Sequence, residues 1–229
     1  MENLSVLKNK RILIVAAHPD DEMLGCGGTI IKYKKFSEIE IMFMTDGVSS
    51  REKNKSKALK RKEESLKLFK FLELKKPTFL NFPDNKMDSI PMLKIVKQIE
   101  KKIKKFKPNV IITHFSNCLN IDHKKTFEAV MTASRPLKNT NIKTILSFEI
   151  LSSTEWSQNY EDNFNPNFFV DISDLIKKKI NALKFYKSEL KKFPHSRSLK
   201  GVESLAKFRG ISCGCKNAEA FYLARHIEE

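Results

Sequence analysis

Short runs that are apolar at nearly every position alternate with longer amphipathic stretches along this chain of 229 residues. That alternation constrains the fold more than any other feature. Strands that alternate with helices pair in parallel through right-handed crossovers and carry helices on both faces of the sheet. The first apolar run, Arg11-Ile12-Leu13-Ile14-Val15-Ala16, reads as a buried strand, and Ala17-His18-Pro19-Asp20-Asp21-Glu22 stands directly behind it. In an open α/β sheet, ligands bind beyond the carboxyl ends of the strands. One imidazole and two carboxylates there offer ligand chemistry for a divalent ion such as zinc, with a carboxylate left over to act as a base. The same residues also suit a helix start, with Pro19 in the first turn and Asp20, Asp21 and Glu22 complementing the helix dipole. A helix start leaves the histidine unexplained, and on this segment alone both readings stand.

Further strands are expected over 39–45, 78–80 and 109–113, after a first over 11–17. Helices are expected over 23–35, 56–73 and 91–106, and another starts near Asp122. Their inward residues read as Leu24, Thr29, Ile30 and Tyr33, then Leu59, Leu66, Phe69 and Leu72, then Leu93, Val96, Ile99 and Ile103. In the last third, 143–151 and 168–171 read as strands and 172–192 as a long helix capped by Ser173 or Asp171. A helix over 203–209 and a strand over 219–225 follow. No repeat, low-complexity linker or composition break divides the chain, so residues 1–229 are expected to form one domain. Gly25-Cys26-Gly27-Gly28 falls inside the first helix, which suits close helix–sheet packing better than a phosphate-cradling loop.

The formal net charge of +16 invites a nucleic-acid reading. Yet only 7 of the 43 basic residues are arginine, the residue suited to bidentate phosphate and base contacts. The lysine runs at 101–105 and 177–179 fall in helical patterns and read as solvated faces. No nucleic-acid partner is expected, although a modest attraction for anionic substrates is. No stretch approaches the roughly 20 apolar residues of a membrane span, and no signal-peptide core precedes the first strand, so a cytoplasmic protein is expected. Cys26, Cys118, Cys213 and Cys215 read as reduced thiols, because Cys-Gly-Cys is too tight for an ordinary disulfide framework. Homo-oligomerisation is compatible with all of this.

Polar groups gather behind successive strands. After the first come His18, Asp20 and Asp21, and after the second Asp46 and Gly47. After the third come Asp84 and Asn85, and after the fourth His114 and then Asn120-Ile121-Asp122-His123. Turn residues and helix caps explain each of these singly. They explain the set poorly, since caps do not call for histidine, and the joint pattern reads as an active site. The pairing of Ala17-His18-Pro19-Asp20-Asp21-Glu22 with Asp122-His123 resembles the PIG-L (LmbE-like) family of zinc-dependent N-deacetylases. Thr45-Asp46-Gly47, Arg61-Lys62-Glu63-Glu64, Phe82-Pro83-Asp84-Asn85, Glu149 through Trp156, and Pro194-His195-Ser196-Arg197-Ser198 are similar to other parts of that family.

The resemblance implies a three-layer Rossmann-like α/β fold with a mostly parallel sheet. It also implies removal of acetyl from an N-acetyl amino-sugar conjugate, with a nucleotide sugar for surface glycans as one candidate. His18, Asp21 and His123 would hold one zinc, or another divalent ion, per chain, and Asp20 would be the general base. One position departs from the pattern. Many members carry a histidine where Asn120 stands, and an amide cannot carry a proton to a leaving amine. His195 is therefore expected to serve as the acid, with His114 as the alternative and Asp122 orienting an imidazole. Asp84 is expected to bond a sugar hydroxyl, Arg51 and Arg197 to meet an anionic aglycone, and Asn120 and His114 to add contacts. Trp156, the only tryptophan, reads as a sugar platform or a core residue. Two rivals remain: a metal-free Rossmann-like nucleotide-binding protein, and a nucleic-acid-binding protein driven by the charge.

Overall fold

The first strand, β1 (Arg11–Ala16), is buried at every position after Arg11. Side chains alternate across a strand, so both faces of the sheet must be covered. The computed structural model describes residues 5–45, 47, 55–138, 140–157 and 163–228, with backbone alone at 55–58. Ile12, Ile14 and Ala16 pack into one apolar cluster with α1 (Asp21–Tyr33), α2 (Lys55–Phe71), α5 (Ile176–Leu183) and α6 (Leu199–Ile211). Leu13 and Val15 pack into the other with α3 (Met92–Phe106) and α4 (Ile121–Ala133). The result is the expected three layers.

The remaining strands are β2 (Glu38–Thr45), β3 (Thr78–Phe82), β4 (Val110–His114), β5 (Thr144–Phe148), β6 (Phe168–Asp171) and β7 (Ala218–His226). Their order is β3-β2-β1-β4-β5-β7-β6. The first five pair in parallel, and β7 runs antiparallel to both β5 and β6. From β1 the sheet grows through β2 to one side and through β4 to the other. The crevice at the carboxyl ends of β1 and β4 is therefore the topological switch point, where α/β sheets bind ligands.

The last third departs most from the sequence pattern. The helix expected over 172–192 is only Ile176–Leu183, and turns carry the chain on to Ser198. Tyr186 is drawn inward, its hydroxyl bonding Glu22, which pulls this part of the segment off a helical path. Neither Ser173 nor Asp171 caps α5; the Asp171 carboxylate accepts the N–H and hydroxyl of Ser173 ahead of it. The strand expected over 143–151 is confined to Thr144–Phe148, and the helix expected over 203–209 runs from Leu199 to Ile211 with Ser198 as its cap. Leu59 and Leu93 point to solvent instead of inward. On α2 the buried stripe is Arg61, Glu64, Ser65, Leu68 and Phe69, continued by Leu72 just past its end, and it is polar where it nears the crevice.

Helix α1 carries the first residues of the crevice and is held firmly. It kinks at Cys26 (φ −143°, ψ 25°), which frees N–H groups of its second half. The Glu219 carboxylate on β7 accepts the N–H groups of Gly28 and Thr29 and the Thr29 hydroxyl, each at 2.7 Å. Lys179 donates to Glu219 at 2.6 Å and to the Leu24 carbonyl at 2.8 Å. So one lysine of the 177–179 run is buried and paired, contrary to a uniformly solvated face. At Gly25 a Cβ would come within 2.4 Å of the Phe148 ring, so close helix–sheet packing does account for that glycine. Breaking a buried ion pair from one side leaves an uncompensated charge. Lys179→Met should therefore cost about 3 kcal/mol in urea unfolding, the low end of the range, because three neutral donors still hold Glu219. A midpoint equal to wild type would show that the pair does not anchor α1.

Candidate metal centre and substrate cleft

Between β1 and α1 the chain turns through buried backbone, and side chains satisfy it. The Ala17 N–H donates to His114 Nε2 at 2.8 Å, the His18 N–H to Asp21 Oδ2 at 2.9 Å, and the Asp20 N–H to Glu22 Oε2 at 2.9 Å. Asp20 sits at φ 122°, a conformation rare for a residue with a side chain. Buried Arg61 holds that geometry: Nε donates to the Pro19 carbonyl at 2.7 Å, Nη1 to the Gly47 carbonyl and Nη2 to Asp20 Oδ1. Asp21 then opens α1. The two readings of this segment are thus compatible, since Asp21 belongs to a first helical turn and also faces two imidazoles.

His18 Nδ1 lies 3.0 Å from Asp21 Oδ2 and 3.2 Å from His123 Nε2, and His123 Nε2 lies 3.3 Å from Asp21 Oδ2. Three ligand atoms bound to zinc at its usual N and O distances in a tetrahedral arrangement sit about 3.4 Å apart. The triangle fits a small divalent ion with only slight expansion. The donor set fits too, two imidazoles and a carboxylate, all buried. Asp21 Oδ1 has no hydrogen-bond partner, as expected of an oxygen beside a cation site.

A second layer fixes the rings. His18 Nε2 stands 3.1 Å from both Asp84 Oδ1 and Asp122 Oδ2. The Asp122 carboxylate is itself held by the N–H groups of Asn85 at 2.6 Å and Met87 at 3.1 Å. His123 Nδ1 lies 3.0 Å from Cys118 Sγ. Burial alone would lower the affinity of His18 for a proton, but Asp21, then Asp122 and Asp84, raise it well above the ordinary range. His114 stacks on His123 at 3.9 Å between ring centroids, and burial, then the His123 charge, lowers its pKa well below the ordinary value. A neutral His114 accepting the Ala17 N–H supports the turn. Burial raises the Asp20 carboxyl, and Arg61 and Arg197 oppose that rise.

The other expected residues fall in distinct places. Asn120 caps α4, its Oδ1 accepting the Asp122 N–H at 2.8 Å, while its Nδ2 donates to Asn85 Oδ1 at 3.0 Å. The Pro-His-Ser-Arg loop folds back over the strand ends, where Arg197 Nη1 reaches Asp20 Oδ2 at 3.5 Å and Glu189 at 3.8 Å. His195 and Arg197 line a cleft of about 540 Å³ with Asn85, Asn120, Glu189 and Trp156. Asp84 lies behind His18, fully buried, and is not among the groups lining that cleft. Trp156 is no core residue: it is 47% exposed, with a ring edge against His195. A larger hollow of about 1040 Å³ at the opposite edge of the sheet is lined by none of the candidate site residues. Arg51 and Asp46 lie outside the described residues.

Three contributors were given no such role by the sequence reading. Arg61 clamps Asp20, and its signal was the family-like Arg61-Lys62-Glu63-Glu64 on the buried stripe of α2. Cys118 touches His123, and its only signal was nearness to Asn120-Ile121-Asp122-His123. Glu22 read only as a charge for the helix dipole, whereas it joins the turn to Tyr186 at 2.6 Å.

The sequence and fold are similar to those of known proteins. Residues 13–134 match the family model described as PIG-L: GlcNAc-PI de-N-acetylase, and the chain belongs to that family. A diacetylchitobiose deacetylase of Thermococcus kodakarensis is 28% identical over 193 residues, covering 79% of this chain and 70% of that protein. An uncharacterised deacetylase of Escherichia coli, YaiS, is 29% identical over 191 residues, covering 80% of this chain and 94% of that protein. Among solved structures, the N,N'-diacetylchitobiose deacetylase from Pyrococcus horikoshii superposes with a TM-score of 0.75 at 22% identity, covering 94% of this chain and 84% of that one. No helix among the described residues is long and apolar enough to cross a membrane.

Glu22 gives the centre a pH dependence of its own. Burial raises it to about 8, against the hydrogen bonds from Tyr186 and the Asp20 N–H. An unfolded chain releases this proton near pH 4.3. Between those values the folded chain binds the extra proton, so the contribution of Glu22 is fully present below the unfolded value and is lost as pH rises through about 8. Glu22→Gln should flatten the fall in melting temperature between about pH 5 and 8, measured in chelator-containing buffer. Parallel profiles for variant and wild type would mean that Glu22 is already ionised in the fold.

Proposed function

We propose that this protein is a zinc-dependent N-deacetylase that removes acetyl from an N-acetylated amino-sugar conjugate. The observation that carries the reading is the triangle of His18 Nδ1, Asp21 Oδ2 and His123 Nε2, with edges of 3.0, 3.2 and 3.3 Å, beside a carboxylate on the same turn. The deacetylase names of the relatives support the same reaction class.

Zinc in that triangle would supply a Lewis acid for the acetyl carbonyl and acidify a water toward neutral pH. The chain's own residues do the rest. Asp20 accepts the proton of the attacking water. Its neighbours Arg61 and Arg197 keep it ionised and aimed, while burial makes it a stronger base than a solvated carboxylate. Asp84 and Asp122 accept from His18 Nε2 and so leave Nδ1 free to coordinate. His195 Nδ1 accepts the Arg197 N–H at 3.1 Å, which favours the tautomer with hydrogen on Nε2. That makes His195 a donor suited to the developing oxyanion. Asp20, once protonated, is placed to return the proton to the leaving amine. Asn120 has its Nδ2 committed to Asn85 and serves as a wall of the cleft.

The cleft favours the sugar end of the conjugate. Trp156 offers a half-exposed indole face, and Arg197, expected to meet an anionic aglycone, is turned inward onto Asp20 and Glu189. A neutral N-acetylhexosamine oligosaccharide therefore suits it better than a nucleotide sugar. The test is acetate release from a panel of both kinds. Chelation should abolish release and zinc should restore it. Chelator-resistant release, or none from any panel member by the zinc-loaded protein, would refute the assignment. Asp20→Asn should retain zinc and lose about 10²–10⁴ in turnover, because it removes proton acceptance without removing a ligand. Near-wild-type turnover in the zinc-loaded variant would give Asp20 another role.

A further inference from the structure

We infer that Cys118 is a positioning residue for the metal centre: its sulfur is the acceptor that turns His123 Nε2 toward His18 and Asp21. The inference rests on the proposed centre and concerns a residue to which neither the family match nor the sequence pattern gave a role.

Cys118 is 1% exposed, and its Sγ lies 3.0 Å from His123 Nδ1. For Nε2 to carry a free lone pair, Nδ1 must bear the hydrogen, so the imidazole donates and the sulfur accepts. Two hydroxyls approach the same sulfur, Ser153 Oγ at 2.9 Å and Thr154 Oγ1 at 3.5 Å. Each already accepts a backbone N–H, Ser153 from Asn120 at 3.2 Å and Thr154 from Ile150 at 2.8 Å. Each keeps its own hydrogen free to give, so the two hydroxyls and the imidazole N–H together form a polar cage around the sulfur. A metal-binding histidine ordinarily gives its second N–H to a carboxylate, a carbonyl or water. His18 follows that rule with Asp84 and Asp122, whereas His123 uses a thiol. The same cage ties the ring to the loop after β5, since the Leu119 N–H also donates to the Ser153 carbonyl at 3.2 Å. That loop supplies Ser152, Ser153 and Trp156 to the cleft, so a wall of the cleft and a ligand share one anchor.

The test measures zinc affinity by competition with a chromophoric chelator, and the melting temperature of the metal-free chain, for wild type, Cys118→Ala and Cys118→Asp. Loss of a partner behind a ligating histidine weakens metal binding by about 10–100-fold. Cys118→Ala should show that loss, and Cys118→Asp, which restores an acceptor in similar volume, should recover most of it whatever its melting temperature. Absorption of the cobalt-loaded forms should follow the same order, with the Asp variant close to wild type. Zinc affinity within about twofold of wild type in Cys118→Ala would overturn the inference and leave the centre standing. Weakened affinity that Asp fails to restore would also overturn it, assigning Cys118 to packing. A wild-type chain without a tight zinc site would overturn the centre and the inference together.

Discussion

The centre depends on how one stretch of buried backbone is satisfied. Leaving β1, the chain keeps one bond to a neighbouring strand, from the Thr45 N–H to the Ala17 carbonyl, and its other backbone groups are buried away from water, where an unpaired N–H costs about 1–3 kcal/mol. Side chains of the centre and its surroundings close those bonds, the proposed ligand Asp21 among them. His114 takes the Ala17 N–H, Asp21 the His18 N–H and Glu22 the Asp20 N–H, while Arg61 covers the Pro19 carbonyl. Substitution at the centre is therefore also substitution in the fold, and loss of activity carries meaning only beside a measurement of metal content or stability.

Charge is segregated within a few ångströms. The imidazole of His18 is set among carboxylates, which together favour a cation there. Asp20, the next charged residue along, is set between two guanidinium groups. Asp20 and Asp21 are adjacent in sequence and both fully buried, yet burial dominates at Asp20 and lifts it, while the two histidines overcome burial at Asp21 and hold it well below the usual range. Two neighbouring carboxylates with opposed environments are what a site needs when one must ligate and the other must exchange a proton. The φ of 122° at Asp20 aims the two side chains at different partners.

The strand–helix alternation and the placement of His18 and His123 behind strand ends could be read from the sequence because they rest on local patterns: fully apolar runs, and histidines where turns and caps need none. What escaped rests on contacts distant in sequence. The segment 172–192 has helical spacing, but Tyr186 finds Glu22, 164 positions away, and the helix stops at Leu183. Lys179 sits in a lysine run and looked solvated, although Glu219 across the sheet draws it in. Leu59 fits the hydrophobic period of α2, but that end of the helix approaches the crevice, where the inward residue is Arg61. Cys118 had no pattern to join at all, and only the convergence of α4 with the loop after β5 gives it a partner.

The division of labour along the chain follows from the same geometry. The segment matched by the family model, 13–134, contains His18, Asp20, Asp21, Arg61, Asp84, Cys118, Asp122 and His123. Every group proposed to ligate, to exchange a proton with water or to orient a ligand from behind lies there, apart from Arg197 and the hydroxyls of Ser153 and Thr154. The cleft walls that would meet the body of a substrate come largely from beyond it, namely Ser152, Trp156, Glu189, Lys191 and His195. Those walls are built from turns and loops, which can change length and side chains without disturbing the sheet. The proposed chemistry thus sits where backbone satisfaction leaves little freedom, and the walls that would meet the substrate sit in the part of the fold that can vary. Arg197 joins the two: it belongs to the loop wall and touches the proposed base, so a substrate that moves the 193–198 loop would also move a charge beside Asp20.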